Sequence, residues 1–214
     1  MERLLVGLGN PGRRYDGTRH NVGFDAVDRI LSSVGGRWTH SEAPASIAEA
    51  EIEGRPVTLM KPLSYMNLSG EPVSEWVRAH AIQRTEVLVY FDDVALPVGS
   101  LRLRERGTDG GHRGLASVLA SLGGTDVPRV RIGIRPQNAD AAESQVGELA
   151  DFVLAPFTAE ERPLVDDVLT RVVSATRTIL AEGMGKAMSL NNVTLSVASD
   201  AARRGADRPE GRDL

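Results

Sequence analysis

One histidine and one aspartate lie where they could activate a water molecule. His20 belongs to a polar, loop-like stretch that follows the apolar run Arg3 to Leu8, and Asp92 follows a second apolar run, Val87 to Phe91. If both runs are strands of one sheet, the two side chains reach the same edge. A carboxylate bound to one imidazole nitrogen fixes the tautomer and leaves the other nitrogen free to take a proton. The pattern therefore indicates a histidine–aspartate pair that acts as a general base.

An amide side chain stands among apolar neighbours in the polar segment from Lys61 to Gly70. Asn67 has both a donor and an acceptor, so it could hold a peptide-like group through both. The alternative is that Asn67 or Ser69 caps the helix that follows this segment. The spacing alone does not decide between the two interpretations.

The run from Gly7 to Gly12 matches the G-x-G-x-x-G pattern of dinucleotide-binding loops. In such a loop the glycines open a helix whose first N–H groups meet the pyrophosphate. Here Pro11 and some ten loop residues delay the next helix to about Val22, and the acidic residue expected after a second strand is missing. We therefore reject a nucleotide-binding oxidoreductase and interpret the run as a strand exit that needs glycine conformations.

Arginines are concentrated in residues 97–135, which contain seven of them against three acidic residues, whereas residues 136–170 contain one arginine against eight acidic residues. One interpretation is two oppositely charged, solvated surfaces. The other is a phosphate-binding face beside the glycine-rich segment Gly107 to Gly114. The charge pattern by itself favours the first.

Composition narrows the classes of protein further. A chain of 214 residues with 41% hydrophobic and 25% charged residues is typical of one soluble globular domain. A net charge of −4 argues against a globally basic nucleic-acid binder. No apolar run is long enough to span a bilayer, so we expect no membrane partner. The absence of cysteine excludes cysteine nucleophiles, and the four histidines lack metal-ligand spacing, so we expect no metal.

The elements that must position these residues alternate between strand and helix. Strands are predicted at Arg3–Leu8, Ile47–Ile52, Val57–Met60, Val87–Phe91, Leu101–Arg104 and Val130–Ile134, and helices at 22–34, 70–81, 115–122 and 164–180. Thr158 and Glu161 have the spacing of a capping box before the last helix. The alternation predicts an α/β fold with a mixed β-sheet in one domain, residues 1–196, followed by a disordered tail, residues 197–214. The N-terminus has no signal-peptide layout, which predicts a cytoplasmic protein.

Several segments taken together resemble the bacterial-type peptidyl-tRNA hydrolases. The matching segments are Val6–Gly12, Tyr15, Thr18–Gly23, Lys61–Pro62, Tyr65–Gly70, Asp92–Asp93, Leu96–Pro97, Gly99, Gly110–Gly114 and Arg131–Ile134. They follow the order of that family and span residues 3 to about 195. The resemblance implies a single α/β globular domain around a twisted mixed sheet flanked by helices. It also implies hydrolysis of the ester between a peptide and tRNA, without a metal or organic cofactor.

The resemblance also implies a role for each matched residue. His20 would be the base, Asp92 its carboxylate partner, and Asn10 and Asn67 would bind the peptide and stabilise the polarised carbonyl. The residues expected to contact tRNA or the peptide are Tyr15, Tyr65, Met66, Asn67, Arg104, Arg113 and Arg131. The expected partner is the acceptor end of peptidyl-tRNA, and the expected state is a monomer.

The sequence departs from the family pattern mainly around the glycine-rich segment, where Arg106 and Thr108 interrupt the glycines. Ala95 also replaces a common aspartate, and no glycine separates Arg135 from Pro136. The family segment Gly-Gly-His-Asn-Gly has Arg113 in place of the asparagine. The competing hypothesis is therefore a non-catalytic RNA-binding member of the same fold. The retained pair of His20 and Asp92 favours the enzyme.

Overall fold

A seven-stranded sheet forms the centre of the protein in a computed structural model, which describes residues 3–40, 44–137 and 146–192. The strands are β1 Arg3–Gly7, β2 Thr39–His40, β3 Ala45–Ile52, β4 Arg55–Pro62, β5 Val87–Pro97, β6 Leu101–Arg104 and β7 Arg129–Arg135. The helices are α1 Val22–Ser32, α2 Gly70–Ala79, α3 Arg113–Leu122, α4 Val146–Leu154, α5 Arg162–Glu182 and α6 Met184–Asn191. The expected α/β fold with a mixed sheet is confirmed.

Strand order explains why residues that are distant in sequence meet. The order across the sheet is β2-β3-β4-β1-β5-β7-β6. β1 is parallel to both β4 and β5, and β5 is parallel to β7, whereas β2, β3 and β6 are antiparallel to their neighbours. The carboxyl ends of four adjacent strands therefore lie at one edge, which is where ligands bind in open α/β sheets.

Alternating side chains of the central strands build two separate hydrophobic cores. Leu5 points to one face with α1, α5 and α6, while Leu4 and Val6 point to the other face with α2 and α3. This period of two is what a strand covered on both faces requires. The site at the carboxyl edge is thus built on elements that are packed on both sides.

The glycine run after β1 serves close packing more than unusual backbone conformation. A Cβ atom at Gly7 would lie 2.3 Å from the carbonyl oxygen of Gly23, and one at Gly9 would lie 2.6 Å from the ring of Phe24. Only Gly12 in this run has a positive φ, 106°. The run thus lets α1 approach the sheet closely, and α1 begins only at Val22, as predicted.

The structure differs from the predicted elements in several places. The expectation that the second apolar strand ends at Asp92-Asp93 is wrong, because β5 continues to Pro97 with a shift in register after Asp93. The strand extends beyond its apolar run because backbone hydrogen bonds to β7 do not require apolar side chains, so the hydrophobic pattern does not reveal where the pairing ends. Three short elements, β2, α4 and α6, are absent from the predicted set.

The predicted disordered tail, residues 197–214, lies outside the described residues. None of the helices in the described ranges is both long and apolar enough to cross a membrane.

Replacing Gly23 by alanine should destabilise the fold. The new methyl carbon would lie 2.4 Å from the carbonyl oxygen of Tyr90 and 2.5 Å from that of Leu8, and these backbone atoms cannot move aside cheaply. We expect Gly23→Ala to lower the free energy of unfolding in urea by about 2 kcal/mol or more. Gly185→Ala is the matched control, because Gly185 lies in α6 with open space around it. An equal loss of stability in both variants would show that the close approach of α1 is unimportant.

Candidate active site

A cavity of about 780 Å³ opens at the carboxyl edge of the parallel strands. Its polar lining includes Asn10, His20, Asn67, Asp92 and His112. Leu149, Ala150, Val153 and Leu154 of α4 form one wall, and Arg104, Arg106 and Arg113 stand at another side. The cavity thus combines groups for proton transfer, amide donors, an apolar wall and cationic side chains.

His20 and Asp92 form the predicted pair. Nδ1 of His20 lies 2.8 Å from Oδ1 of Asp92, and the side chains are 15% and 2% exposed. A carboxylate only accepts, so the neutral imidazole donates its Nδ1–H to Asp92. The described residues offer no hydrogen-bond partner to Nε2 of His20, and the ring lines the cavity. Nε2 is therefore the atom that can take a proton from water.

A second histidine binds the same carboxylate oxygen. Nε2 of His112 lies 2.9 Å from Oδ1 of Asp92. Nδ1 of His112 accepts the backbone N–H of Leu115 at 3.0 Å, which makes His112 the N-cap of α3. Because Nδ1 is an acceptor, the neutral ring carries its proton on Nε2 and donates it to Asp92. Asp92 consequently receives two imidazole N–H groups.

These two histidines keep the buried carboxylate ionised. Burial would raise the pKa of Asp92, but the charges and hydrogen bonds of His112 and His20 outweigh it and hold the pKa well below its usual value. An ionised Asp92 can stabilise the imidazolium that forms when His20 takes a proton.

The same three residues could be considered as metal ligands, because their ligand atoms lie within 4.8 Å of one another. A metal would need the lone pair of Nε2 on His112. That ring would then carry its proton on Nδ1, where it would face the N–H of Leu115. The donor set therefore suits proton transfer and does not fit a metal ion.

Hydrogen bonds hold both the side chain and the backbone of Asn10. Its Oδ1 accepts the backbone N–H of Met66 at 2.9 Å. The side chain of Asn21 binds the backbone of Asn10 twice: Oδ1 accepts the Asn10 N–H at 2.8 Å, and Nδ2 donates to the Asn10 carbonyl at 3.0 Å. Since Oδ1 of Asn10 is occupied, Nδ2 is the group that Asn10 can offer to a ligand in the cavity.

Of the other residues predicted to contact the substrate outside the arginine-rich segment, all but one line the cavity. Tyr65, Met66 and Asn67 line the cavity, and both Tyr65 and Asn67 are exposed. Asn67 does not cap α2, because the described structure has no side-chain cap there and Ser69 donates to the Met66 carbonyl instead. Tyr15 does not line the cavity and packs against the guanidinium of Arg14. Its contact with a substrate stays a prediction.

The arginine-rich segment divides into three kinds of residue. Arg104, Arg106 and Arg113 are exposed at the cavity mouth. Arg131 also lines the cavity but is paired with Asp93. Arg129 is buried, and its guanidinium donates to the carbonyls of Gly107, Thr108, Thr125 and Val127. Arg129 therefore stabilises the glycine-rich loop by hydrogen bonds from the protein interior, and it is not part of a charged surface.

Sequence reasoning missed three residues that build this site: Asn21, His112 and Arg129. All three act on other protein groups, and each has a partner that lies more than ten residues away, which no local pattern reveals. For His112 one signal was available, since it lies within the matched segment Gly110–Gly114 at the start of a predicted helix.

A buried aspartate that orients a histidine beside amide side chains is an arrangement that suits a hydrolase. A model of the peptidyl-tRNA hydrolase family matches residues 4–199. The peptidyl-tRNA hydrolase of Carboxydothermus hydrogenoformans is 41% identical over 187 residues, 87% of this chain and 96% of that protein. That of Roseiflexus castenholzii is 46% identical over 193 residues, 88% of this chain and 86% of that protein. The crystal structure of peptidyl-tRNA hydrolase from Acinetobacter baumannii superposes with a TM-score of 0.81 at 30% identity, covering 89% of this chain and 94% of that one. The chain belongs to the peptidyl-tRNA hydrolase family.

The ionised state of Asp92 should appear in the pH dependence of stability. A carboxyl whose pKa is lowered on folding stabilises the protein above its unfolded pKa, about 4, and loses that contribution as pH falls. Asp92→Asn keeps an acceptor oxygen but loses the charge. We expect it to reduce the free energy of unfolding by about 2 kcal/mol at pH 7, with the difference from wild type shrinking below pH 4.

The control is Asp166→Asn, which removes an exposed carboxylate that pairs with Arg29. Its effect on stability should be close to zero at every pH. A difference between wild type and Asp92→Asn that does not change with pH would contradict the ionised, histidine-bound state of Asp92.

Proposed function

We propose that this chain hydrolyses the ester bond that joins a peptide, or an N-blocked aminoacyl group, to tRNA. The reaction recycles tRNA from prematurely released peptidyl-tRNA. The observation that carries the proposal is the free Nε2 of His20, oriented by buried Asp92 inside a cavity lined with amide donors. Membership of the peptidyl-tRNA hydrolase family supports the same substrate.

The chemistry follows from these groups. Nε2 of His20 takes a proton from water as the water oxygen attacks the ester carbonyl carbon, and the carbonyl electrons move onto its oxygen. The Nδ2 groups of Asn10 and Asn67 donate hydrogen bonds to this oxyanion. When the carbonyl re-forms, the bond to the ribose oxygen breaks and that oxygen takes the proton from the His20 imidazolium. The products are the peptide carboxylic acid, which loses its remaining proton to solvent and becomes the carboxylate, and tRNA with a free ribose hydroxyl. No covalent enzyme intermediate is needed.

Asp92 stabilises the imidazolium stage of this cycle. Its partner His112 supplies a second hydrogen bond, which keeps the carboxylate ionised although it is only 3% exposed. Selectivity for N-blocked substrates follows if the amide side chains that line the cavity bind a peptide group. Amide side chains satisfy the donor and acceptor of a peptide bond but do not compensate the charge of a free ammonium group.

The arginines at the mouth of the cavity suit the tRNA part of the substrate. In the described structure Arg104, Arg106 and Arg113 are exposed and have no carboxylate partner, so their charges are available to phosphates. Arg131 would need to share its guanidinium with Asp93. We further propose that residues 1–196 form the catalytic domain of a cytoplasmic monomer.

Hydrolysis of N-acetyl-aminoacyl-tRNA in the presence of a chelator tests the function directly. We expect turnover with the N-acetylated substrate and much slower release from aminoacyl-tRNA with a free amine. Binding of the acetylated substrate without hydrolysis would instead identify a non-catalytic RNA-binding member of the fold.

Substitution of the proposed base should abolish most of the activity without unfolding the protein. We expect His20→Ala to lower turnover by about two to four orders of magnitude. Asp92→Asn should also slow the reaction, and the double variant should be little worse than His20→Ala, because the two residues act as a unit. Losses that multiply in the double variant would argue against the pair.

Arg113 should add a phosphate contact that the family asparagine would not make. Arginine only donates, but it carries charge and reaches farther than asparagine. We expect Arg113→Asn to hydrolyse the substrate but to bind a non-cleavable peptidyl-tRNA mimic with a weaker salt dependence. The slope of log affinity against log salt should be shallower by somewhat less than about one unit.

Arg177→Asn is the matched control for that titration, because Arg177 lies on α5 and pairs with Glu53, away from the cavity. Its slope should equal that of wild type. A slope for Arg113→Asn that also equals wild type would remove the phosphate role. Activity that appears only in Arg113→Asn would mean that the natural chain is a binder.

A further inference from the structure

The residue directly before the base is a buried arginine whose charge no step of the reaction uses. Arg19 is 4% exposed and lies with His20 in the short helical turn Arg19–Asn21. A guanidinium is expensive to bury, so its neighbours should reveal what it does.

The polar partners of the Arg19 side chain lie in β7 and in the segment just before α5. Nη1 and Nη2 donate to Oε1 and Oε2 of Glu161 at 3.1 and 2.7 Å, and Nη1 also donates to the carbonyl of Ile134 at 3.2 Å. The Glu161 carboxylate is itself held, because Oε2 accepts the N–H of Thr158 while Oγ1 of Thr158 accepts the N–H of Glu161. The reciprocal bonds of the predicted capping box are thus present and orient the carboxylate toward Arg19, although α5 begins at Arg162 and has Glu161 as its N-cap.

Two aromatic rings hold the flat guanidinium of Arg19. Its central carbon lies 4.6 Å from the ring centre of Phe152 and 4.9 Å from that of Phe157. The backbones are joined at the same place, since the N–H of Arg19 donates to Ala155 at 3.0 Å and Thr18 forms a β-bridge with Pro156. Arg19 therefore joins the base-bearing turn to the segment 152–161.

This segment also continues the wall of the cavity. Val153 and Leu154 of α4 line the cavity, while their neighbour Phe152 lies against Arg19. The Arg19 side chain thus links the turn that carries His20 to the end of α4, and both segments contribute residues to the cavity lining.

We propose that Arg19 is a positioning residue that sets both the placement of His20 and its separation from the α4 wall. The inference rests on the proposed function. The Nε–H of Arg19 is buried without a hydrogen-bond partner among the described residues, so this placement of the guanidinium carries an energetic cost. Lysine could keep the charge but could neither bind both oxygens of Glu161 in one plane nor stack on the two rings.

The test compares Arg19→Lys and Glu161→Gln with the control Arg29→Lys. Arg29 also bridges to α5, through Asp166, but at an exposed site away from the cavity. Steady-state kinetics with N-acetyl-aminoacyl-tRNA should be measured well below each melting temperature. The ¹⁵N resonance of His20 Nδ1 should be recorded in the substrate-free proteins.

For Arg19→Lys we expect kcat to fall roughly ten- to a hundredfold and KM to rise a few-fold, because small misplacements of a base are costly. Glu161→Gln should change both constants in the same direction by less, and Arg29→Lys should change neither. The His20 resonance should move in the two variants of the Arg19–Glu161 pair and not in the control.

Wild-type kcat and KM in Arg19→Lys, with an unmoved His20 resonance and only a lower melting temperature, would overturn the positioning role. Inactivity of the wild-type enzyme would instead refute the proposed function. The resonance of His20 would still report in that case whether Arg19 positions the ring.

Discussion

The site depends on one carboxylate oxygen that accepts two imidazole N–H groups. Oδ1 of Asp92 lies 2.8 Å from Nδ1 of His20 and 2.9 Å from Nε2 of His112. The two rings approach with different nitrogens, so the same oxygen leaves Nε2 free on one ring while the other ring caps α3. This arrangement gives cavity-lining His20 a defined tautomer, and it lowers the pKa of a buried aspartate that burial alone would raise.

Each of the three residues is delivered by a different part of the fold. Asp92 comes from β5, His20 from the turn before α1, and His112 from the glycine-rich loop before α3. The close contact of α1 with the sheet at Gly23 fixes the turn on one side. Arg129 fixes the glycine-rich loop by binding its carbonyls. Buried polar groups that are satisfied in this way favour one geometry over its alternatives, which a site for proton transfer requires.

The pair of His20 and Asp92 could be predicted because both residues follow apolar runs, and parallel strands bring such positions to one edge. The amide of Asn67 was assigned to the peptide or to a helix cap, and only the fold shows that it lines the cavity without capping α2. His112 and Arg19 could not be assigned from the residues alone, because their partners lie 20 and 142 residues away. The charge pattern of residues 97–135 favoured a solvated surface, but composition does not distinguish a buried arginine such as Arg129 from an exposed one.

The tautomers of the two histidines test the central claim most directly. Long-range ¹H–¹⁵N spectra of the imidazole rings, recorded on the substrate-free protein above pH 7, distinguish a protonated ring nitrogen from a bare one. The geometry around Asp92 predicts a proton on Nδ1 and a bare Nε2 for His20, and the opposite for His112. A proton on Nε2 of neutral His20 would contradict the account, because the nitrogen that faces the cavity could not then act as the base.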